Sequence, residues 1–513
     1  MKKLFLHHAT LSFSPISAYR RYCLSILFIF IAHFYSLAQA PERFVQTYHF
    51  PPNYDSQSYG VANTSYGYML AGMSVDSVGV WGYTVSGVDS MGNSLWYKRY
   101  PMANNQNMCI GWFIQDFLKK SDETYYSTFY THDIGTENYT SYLIKLDDQG
   151  DTLWTKHLLG DSIDQTLETR SVSKTKDGGF LISGLTGPFM GDAKCFLLKT
   201  DSLGNTQWKQ KYNFNTQNEV ENVFAAIEDS VTNKIVLVGY RNNHNKSFVC
   251  FLDSTGTILQ QKYFNSSDGG WLFNVKQLPD GNFIAVGSEF TGNTVGSFDM
   301  QKPMTIKFDI NGNLIWKNVT GHESIGNSFH SALIDDDNTI LSVGFMDTLF
   351  TQNMGINTML CIEKTSYSGN VIFRRIINIF DLHSNGEYQT IIKSDFGGYA
   401  TVAYNSIANA PNPFILVKLD DWACLSEGCQ TAGIHEMEND FMVHIFPNPA
   451  NENLMVSLPE NTLSTACILF DNLGKEIVRY TIYGGDNNLN IKELQSGMYS
   501  IQVHSKMFKF IKN

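Results

Sequence analysis

A single turn recurs along this chain at a nearly fixed interval, and the recurrence decides what the chain can fold into. Asp89-Ser-Met-Gly92, Asp147-Asp-Gln-Gly150, Asp201-Ser-Leu-Gly204, Asp253-Ser-Thr-Gly256 and Asp309-Ile-Asn-Gly312 follow one another at steps of 52–58 residues. Two degenerate copies, Thr365-Ser-Tyr-Ser-Gly369 and Asp420-Asp-Trp-Ala423, make seven. In such a turn Asp caps the backbone with its own carboxylate, and Gly takes the positive φ that closes it. An apolar run stands before each turn, as in Phe196-Leu-Leu-Lys199, Phe248-Val-Cys-Phe-Leu252 and Phe414-Ile-Leu-Val-Lys-Leu419. Unbroken apolar runs mark strands covered on both faces. After the turns, a more polar strand carries one bulky residue: Trp96, Trp154, Trp208, Leu259, Trp316 or Phe373.

The copy over 172–212 shows the whole unit. Residues 172–176, 180–184, 194–200 and 206–212 read as four antiparallel strands, with turns at Asp177-Gly-Gly179 and Asp201-Ser-Leu-Gly204-Asn205. One such sheet cannot bury both faces alone, so it needs its copies stacked beside it. The seventh copy lacks its last strand. Phe44-Val-Gln-Thr-Tyr48 matches Trp208-Lys-Gln-Lys-Tyr212 aromatic for aromatic and supplies the missing piece. Closing the ring removes the open sheet edges that invite aggregation. The expected fold class is all-β, a seven-bladed β-propeller over 41–429 followed by a small C-terminal β-sandwich over 441–513, with a polar linker at 430–440.

Residues 1–40 read as a secretory signal peptide. Arg20-Arg21 ends a basic region, 24–37 is apolar but short for a bilayer, and Ala38-Gln-Ala40 offers a cleavage site between Ala40 and Pro41. No other segment is long and apolar enough to span, so no transmembrane segment is expected in the mature chain. The formal charge is −12. Removing residues 1–40, with Lys2, Lys3, Arg20, Arg21 and no acid, leaves the rest more acidic still. Such a surface argues against nucleic acid or an anionic membrane as partner.

Of the 8 cysteines, Cys195, Cys250 and Cys361 fall in apolar runs, where a thiol packs as a small hydrophobe. Cys109 is expected in a loop and Cys467 in a C-terminal strand. Cys424 and Cys429 flank Leu-Ser-Glu-Gly just past the last repeat, and in an exported chain they are expected to form a disulfide. A zinc site there would need two more ligands, and none stands nearby.

Motifs for chemistry are sparse. The chain has no nucleophile elbow, HExxH or P-loop, and neither cofactor nor metal is expected. Asp335-Asp-Asp-Asn338 reads as a solvated turn. Asp147-Asp-Gln-Gly-Asp151 has a passing likeness to a calcium loop but lacks its bidentate Glu. Lys145, Lys199, Lys307 and Lys418 recur two positions before the turn, and recurrence marks a structural role. The short turns belong on one face of the ring. The other face receives longer, varied loops at 74–82, 131–139, 241–247, 288–303, 345–357 and 405–413, joined by the loops that lead into the next repeat, including 265–271 and 321–330. Varied loops on a rigid frame are where binding sits. Trp81, Trp271, Asp299, His322 and His330 are the candidate ligand-binding residues there, and no catalytic residue stands out.

Past residue 440 the pattern changes to alternating short strands. Phe446-Pro447-Asn448-Pro449, Asp471-Asn-Leu-Gly474-Lys475, Leu494-Gln-Ser-Gly497-Met-Tyr499 and Lys509-Phe-Ile-Lys512 come in order. Together they resemble the C-terminal sorting domain, type A, of the type IX secretion system, with Phe446 where Tyr is usual. The resemblance implies passage through the outer membrane of a Bacteroidota-type bacterium and recognition by the secretion machinery. It further implies removal of the domain in most members, and release or attachment to the cell surface. The repeat region loosely resembles uncharacterised propeller repeats that accompany such tails. The expected function is a secreted or cell-surface binding or adhesion protein with a surface glycan or protein ligand. The alternative is an extracellular polysaccharide-degrading hydrolase or lyase on the same scaffold.

Overall fold

The computed structural model describes residues 43–50, 55–100, 106–109, 117–133, 138–158, 167–186, 194–212, 221–241, 246–264, 269–295, 298–321, 323, 326–348, 357–379, 384–407, 411–426, 429, 444–458, 465–471, 475–503 and 506–513. Ala40, Pro41, His322 and Gly474 lie outside them. Every regular element among the described residues is a strand. The chain divides into two compact units, Met1–His435 and Glu436–Asn513.

In the first unit each repeat folds into one antiparallel sheet. The third sheet runs Leu167–Lys174, Phe180–Thr186, Lys194–Thr200, Thr206–Tyr212, each strand beside the last. The described residues give six such four-stranded sheets and one of five strands. The first strands of the other sheets are Ser56–Asn63, Glu221–Glu228, Gly270–Gln277, Ser328–Ile334 and Ser384–Lys393. In the five-stranded sheet two short pieces, Gln106–Cys109 and Leu118–Lys119, take the first strand's place. Cys109 therefore ends a strand rather than sitting in a loop. Neighbouring first strands touch one another, so they lie innermost in a β-propeller.

An apolar cluster fills the space between each sheet and the next. Leu197, Leu237, Phe248 and Cys250, all at most 1% exposed, lie between the third and fourth sheets. Tyr48, Val61, Leu70, Val402, Phe414 and Leu416 lie between the last sheet and the first. Burying one such side chain stabilises by about 1.5–3 kcal/mol, so every contact between sheets holds the ring. Phe44–Tyr48 completes the last sheet by pairing antiparallel with Phe414–Leu419. The Tyr48 hydroxyl donates to the Gly92 carbonyl at 2.9 Å, as Tyr212 donates to Gly256 at 2.7 Å. The two ends of the repeat region thus share one sheet.

The recurring turn keeps one geometry. In Asp201-Ser-Leu-Gly204 the Asp201 carboxylate accepts the N–H groups of Leu203 and Asn205 at 2.9 and 2.8 Å. Gly150 shows why the fourth place is Gly: its φ is 74°, and a Cβ there would stand 2.6 Å from the ring of Trp96 in the preceding sheet. The degenerate copies keep the form with other residues. Ser366, not Thr365, heads the sixth turn, and Ala423 takes the positive φ, 55°, in the seventh. In the fourth repeat Gln260, opposite Phe251, occupies the tryptophan's place, and Leu259 is a bulge residue 52% exposed.

The repeated lysines each reach a first turn of their own sheet. Lys199 pairs with Asp177 at 3.0 Å, Lys307 with Asp280 at 2.7 Å and Lys364 with Asp337 at 2.7 Å. Asp335, expected to be solvated, is buried instead. It accepts from Lys364 at 3.0 Å and from the Tyr399 hydroxyl, and pairs with Lys393 at 3.2 Å. The segment 288–303 is likewise mostly strand, because Phe283–Val295 and Phe298–Phe308 extend into a long hairpin. Past the last turn Cys424 and Cys429 are joined by a disulfide, with Cα atoms 5.8 Å apart.

The second unit is a sandwich of two antiparallel sheets. One contains His444–Phe446, Asn453–Leu458 and Gly485–Asn490; the other contains Glu476–Ile482, Thr465–Phe470, Gly497–Val503 and Lys506–Lys512. Leu454, Val456, Cys467, Leu469, Ile501 and Val503 fill the space between them, each fully buried. The opening motif is fastened to the closing strand. Asn448 accepts the Ile511 N–H at 2.9 Å, and its amide donates to the Lys509 carbonyl at 3.3 Å. Tyr499 stacks on Phe510 at 5.8 Å, and Asp471 caps its own turn by accepting the Lys475 N–H at 2.9 Å.

Candidate functional site

Six of the innermost strands carry one extra residue near their middle. The register slips between Ser58 and Gly60, Thr169 and Ser171, Val223 and Ala225, Leu272 and Asn274, Phe329 and Ser331, and Tyr388 and Thr390. The extra residues are Tyr59, Arg170, Phe224, Phe273, His330 and Gln389. A bulge re-aims its side chain away from the regular ladder. Each is followed by a short residue, Gly60, Ser171, Ala225, Asn274, Ser331 or Thr390. That recurrence is a signal in the sequence that points to the position.

From the third sheet to the sixth these residues meet one another in a row. The Arg170 guanidinium lies over Phe224 at 5.5 Å, Phe224 meets Phe273 at 4.8 Å, and Phe273 meets His330 at 4.6 Å. Phe345 closes the row against His330 at 5.0 Å. Tyr59, Phe224, Phe273 and His330 are all at most 3% exposed, so their side chains pack as core.

A second row lies against the first. Tyr240 stacks on Phe224 at 5.7 Å and meets Trp271 at 5.3 Å, and Trp271 meets Phe290 at 5.4 Å. Tyr240 and Trp271 are half-buried. Burial holds the Tyr240 phenol above its usual pKa. At one end Arg170 pairs with Glu168 at 2.7 Å, both partly exposed. Partly exposed rings beside a paired cation and anion can hold a ligand with an apolar face and polar edges.

The candidates read from the sequence fare unequally. Trp271 and His330 join this aromatic cluster, both touching Phe273. Asp299 is exposed on the long hairpin, opposite Thr294, and Phe290 at the base of that hairpin packs on Trp271. Trp81 stands apart, on the first sheet, against the cluster that contains Met73 and Phe129. His322 falls outside the described residues. Tyr240, Phe290 and Arg170 were not singled out in the sequence. Among the described residues no group of three or more His, Cys, Asp or Glu could hold a metal ion.

One buried acid nearby stands out. Asp347, 7% exposed, accepts from the Thr358 hydroxyl at 2.8 Å, and burial raises its pKa to about 6. A Cβ on Gly326 would come within 2.1 Å of its other carboxylate oxygen and 2.8 Å of the Phe345 ring, so a larger residue there would have to push both aside.

Residues 444–513 match the family described as the secretion system C-terminal sorting domain. The chain carries a type IX sorting tail. It is therefore exported, to be secreted or attached to the outer cell surface, and the tail meets the type IX secretion machinery. No curated protein matches the chain. Among solved structures, Drosophila Semaphorin 2a is similar at 9% identity and a TM-score of 0.48, covering 93% of this chain and 98% of its own. An acylaminoacyl peptidase of Pyrococcus horikoshii is similar at 10% identity and a TM-score of 0.38, covering 80% of this chain and 60% of its own. The hydrazine synthase of Kuenenia stuttgartiensis follows at 11% identity and a TM-score of 0.33, over 54% of this chain and 73% of its own. No helix among the described residues is long and apolar enough to cross a membrane.

Proposed function

We propose that this is a surface-binding protein: a seven-bladed ring over 41–429 that engages a ligand at the outer cell surface through its long-loop face. A signal peptide, cut between Ala40 and Pro41, takes it across the inner membrane, and the sandwich at 441–513 takes it across the outer one. The observation that carries the binding reading is the aromatic row Tyr240–Trp271–Phe290. It breaks the repeat, occupies one sector of the long-loop face, and leaves two rings partly exposed. Phe224, Phe273 and His330 beneath it are packed core rather than an open reacting site, which supports binding over catalysis.

Cell fractionation and a retention assay test both halves. Without residues 444–513 the protein should stay inside the outer membrane, whereas the intact chain reaches the surface or the medium. The purified intact chain should be retained on outer-membrane preparations of the producing bacterium. Tyr240→Ala should lower that retention and Leu203→Ser, on the turn face, should leave it unchanged. Equal retention of the two variants would contradict the assignment of the face.

A further inference from the structure

We infer that the secretion machinery docks on the outer face of the second unit's four-stranded sheet, through an apolar diagonal centred on Met498 and Ile511; this rests on 444–513 being the sorting tail. The register sets which side chains share that face. Met498 lies opposite Ile511, Ser500 opposite Lys509 and Phe470, and Ile468 opposite Arg479 and Gln502. The residues between them along each strand, Leu469, Ile501 and Phe510, fill the core, so strand alternation turns this set outward. The outward face of an antiparallel sheet is ordinarily polar. Here Met498 and Ile511 are 55% and 49% exposed. Phe470, diagonal to Met498, and Ile468 are partly exposed beside them.

Three other surfaces of the domain are committed or polar. The edge beside Lys506–Lys512 is taken by the opening motif: the Ala450 N–H donates to the Ile511 carbonyl at 2.7 Å, and the Ala450 carbonyl accepts the Asn513 N–H at 2.9 Å. A partner's strand has no ladder left to join there. The opposite edge strand, Glu476–Ile482, carries the Arg479–Glu476 pair at 3.0 Å, and charged side chains keep such edges from pairing. On the outer face of the three-stranded sheet Ser457, Asp486, Asn488 and Asn490 surround Phe446 and Met455. The apolar diagonal remains, with Lys509 exposed on the same face. It fits a partner surface that is apolar at its centre and acidic at its rim, which removes the exposed apolar area from water and meets the ammonium group.

Export of full-length variants by the producing bacterium, followed by cell fractionation, tests the inference. Met498→Glu and Ile511→Glu should each lower the amount at the surface and in the medium about tenfold or more, with the chain held inside the outer membrane, because a charge set against an apolar partner surface is costly. Met498→Leu, which keeps the apolar surface, should export within about twofold of the parent, and so should Asn488→Glu, on the other sheet's outer face. Protease resistance of the retained chain, equal to that of the parent, separates lost docking from lost folding. For a variant that loses it, Met498→Ser, which removes apolar surface without adding charge, takes its place. Parental export of both Glu variants would overturn the inference, as would an equal loss in Asn488→Glu. Sedimentation of the purified intact chain as a dimer that Met498→Glu splits would give the face to a second copy and also overturn it. A chain lacking residues 444–513 separates the two levels. If it is retained while the Glu variants are exported, the tail stands and the face is discarded; if it too is exported, the tail is discarded as well.

Discussion

The two faces of the ring obey different rules. On the turn face every notable residue has counterparts: Asp89, Asp201 and Asp309 cap identical turns, and Lys199, Lys307 and Lys364 each reach an Asp of their own sheet. On the long-loop face the notable residues occur once. The long hairpin from Phe283 to Phe308, the Arg170–Glu168 pair and the Tyr240–Trp271 contact have no equivalents among the described sheets. Repetition is what a scaffold requires, since every sheet must solve the same packing problem. A ligand needs a place that differs from the rest. On the proposed reading, stability belongs to one face and recognition to the other, and substitutions can break or sharpen that division.

The largest expected effect lies where the ring closes. Tyr48→Ala removes a ring 6% exposed, together with its bond to Gly92. It should cost about 3–5 kcal/mol in urea unfolding, and deleting residues 41–50 should cost more. A loss under 1 kcal/mol for the deletion would show that the two ends do not depend on each other. Next comes the buried acid on the long-loop side. Burial raises the folded Asp347 to about 6, so the protonated form favours folding. Its contribution is complete below about pH 4 and is lost as pH rises through 6, a difference of about 3 kcal/mol. Asp347→Asn should abolish that slope between pH 4 and 6.

The acid at Asp335 on the turn face has the opposite sign. Burial pushes its carboxyl up, but bonds from Tyr399 and Lys364 outweigh burial and hold it at about 2. The stability it provides is present above about pH 4 and fades as pH falls toward 2. Asp335→Asn should flatten that acid limb and leave the region from pH 4 to 6 alone.

Gly150→Ala should cost about 1–3 kcal/mol, from positive φ and the clash with Trp96. Gly79→Ala, also at positive φ but with no heavy atom within 4 Å, should cost only about 1 kcal/mol of backbone strain. The smallest effect is expected at Leu203, 63% exposed in its turn, where Ser should change stability by less than about 0.5 kcal/mol.

What the sequence disclosed follows the same division. The turns, the covered strands and the match of Phe44–Tyr48 to Trp208–Tyr212 were legible because each appears several times at one spacing. The sorting tail was legible because its motifs are local. Asp335 misled, since a run of acids in a turn looks solvated until Lys364, brought in by a strand 29 residues later, is placed beside it. The aromatic row was only half visible. Trp271 stands out by type, but Tyr240 and Phe290 reach it from other strands. The hairpin at 288–303 looked like a loop because its turn residues carry no apolar alternation past Phe290, where the register breaks.

The scaffold stands or falls on the strand that joins its two ends. Native-state hydrogen exchange on the mature full-length chain can compare Phe44–Tyr48 with its partner Phe414–Leu419. In a closed ring the ladder amides of both strands exchange slowly and open with the same free energy, because neither can leave without the other. Fast exchange in Phe44–Tyr48 beside a protected Phe414–Leu419 would show an open ring, and would contradict the division between the two faces at its root.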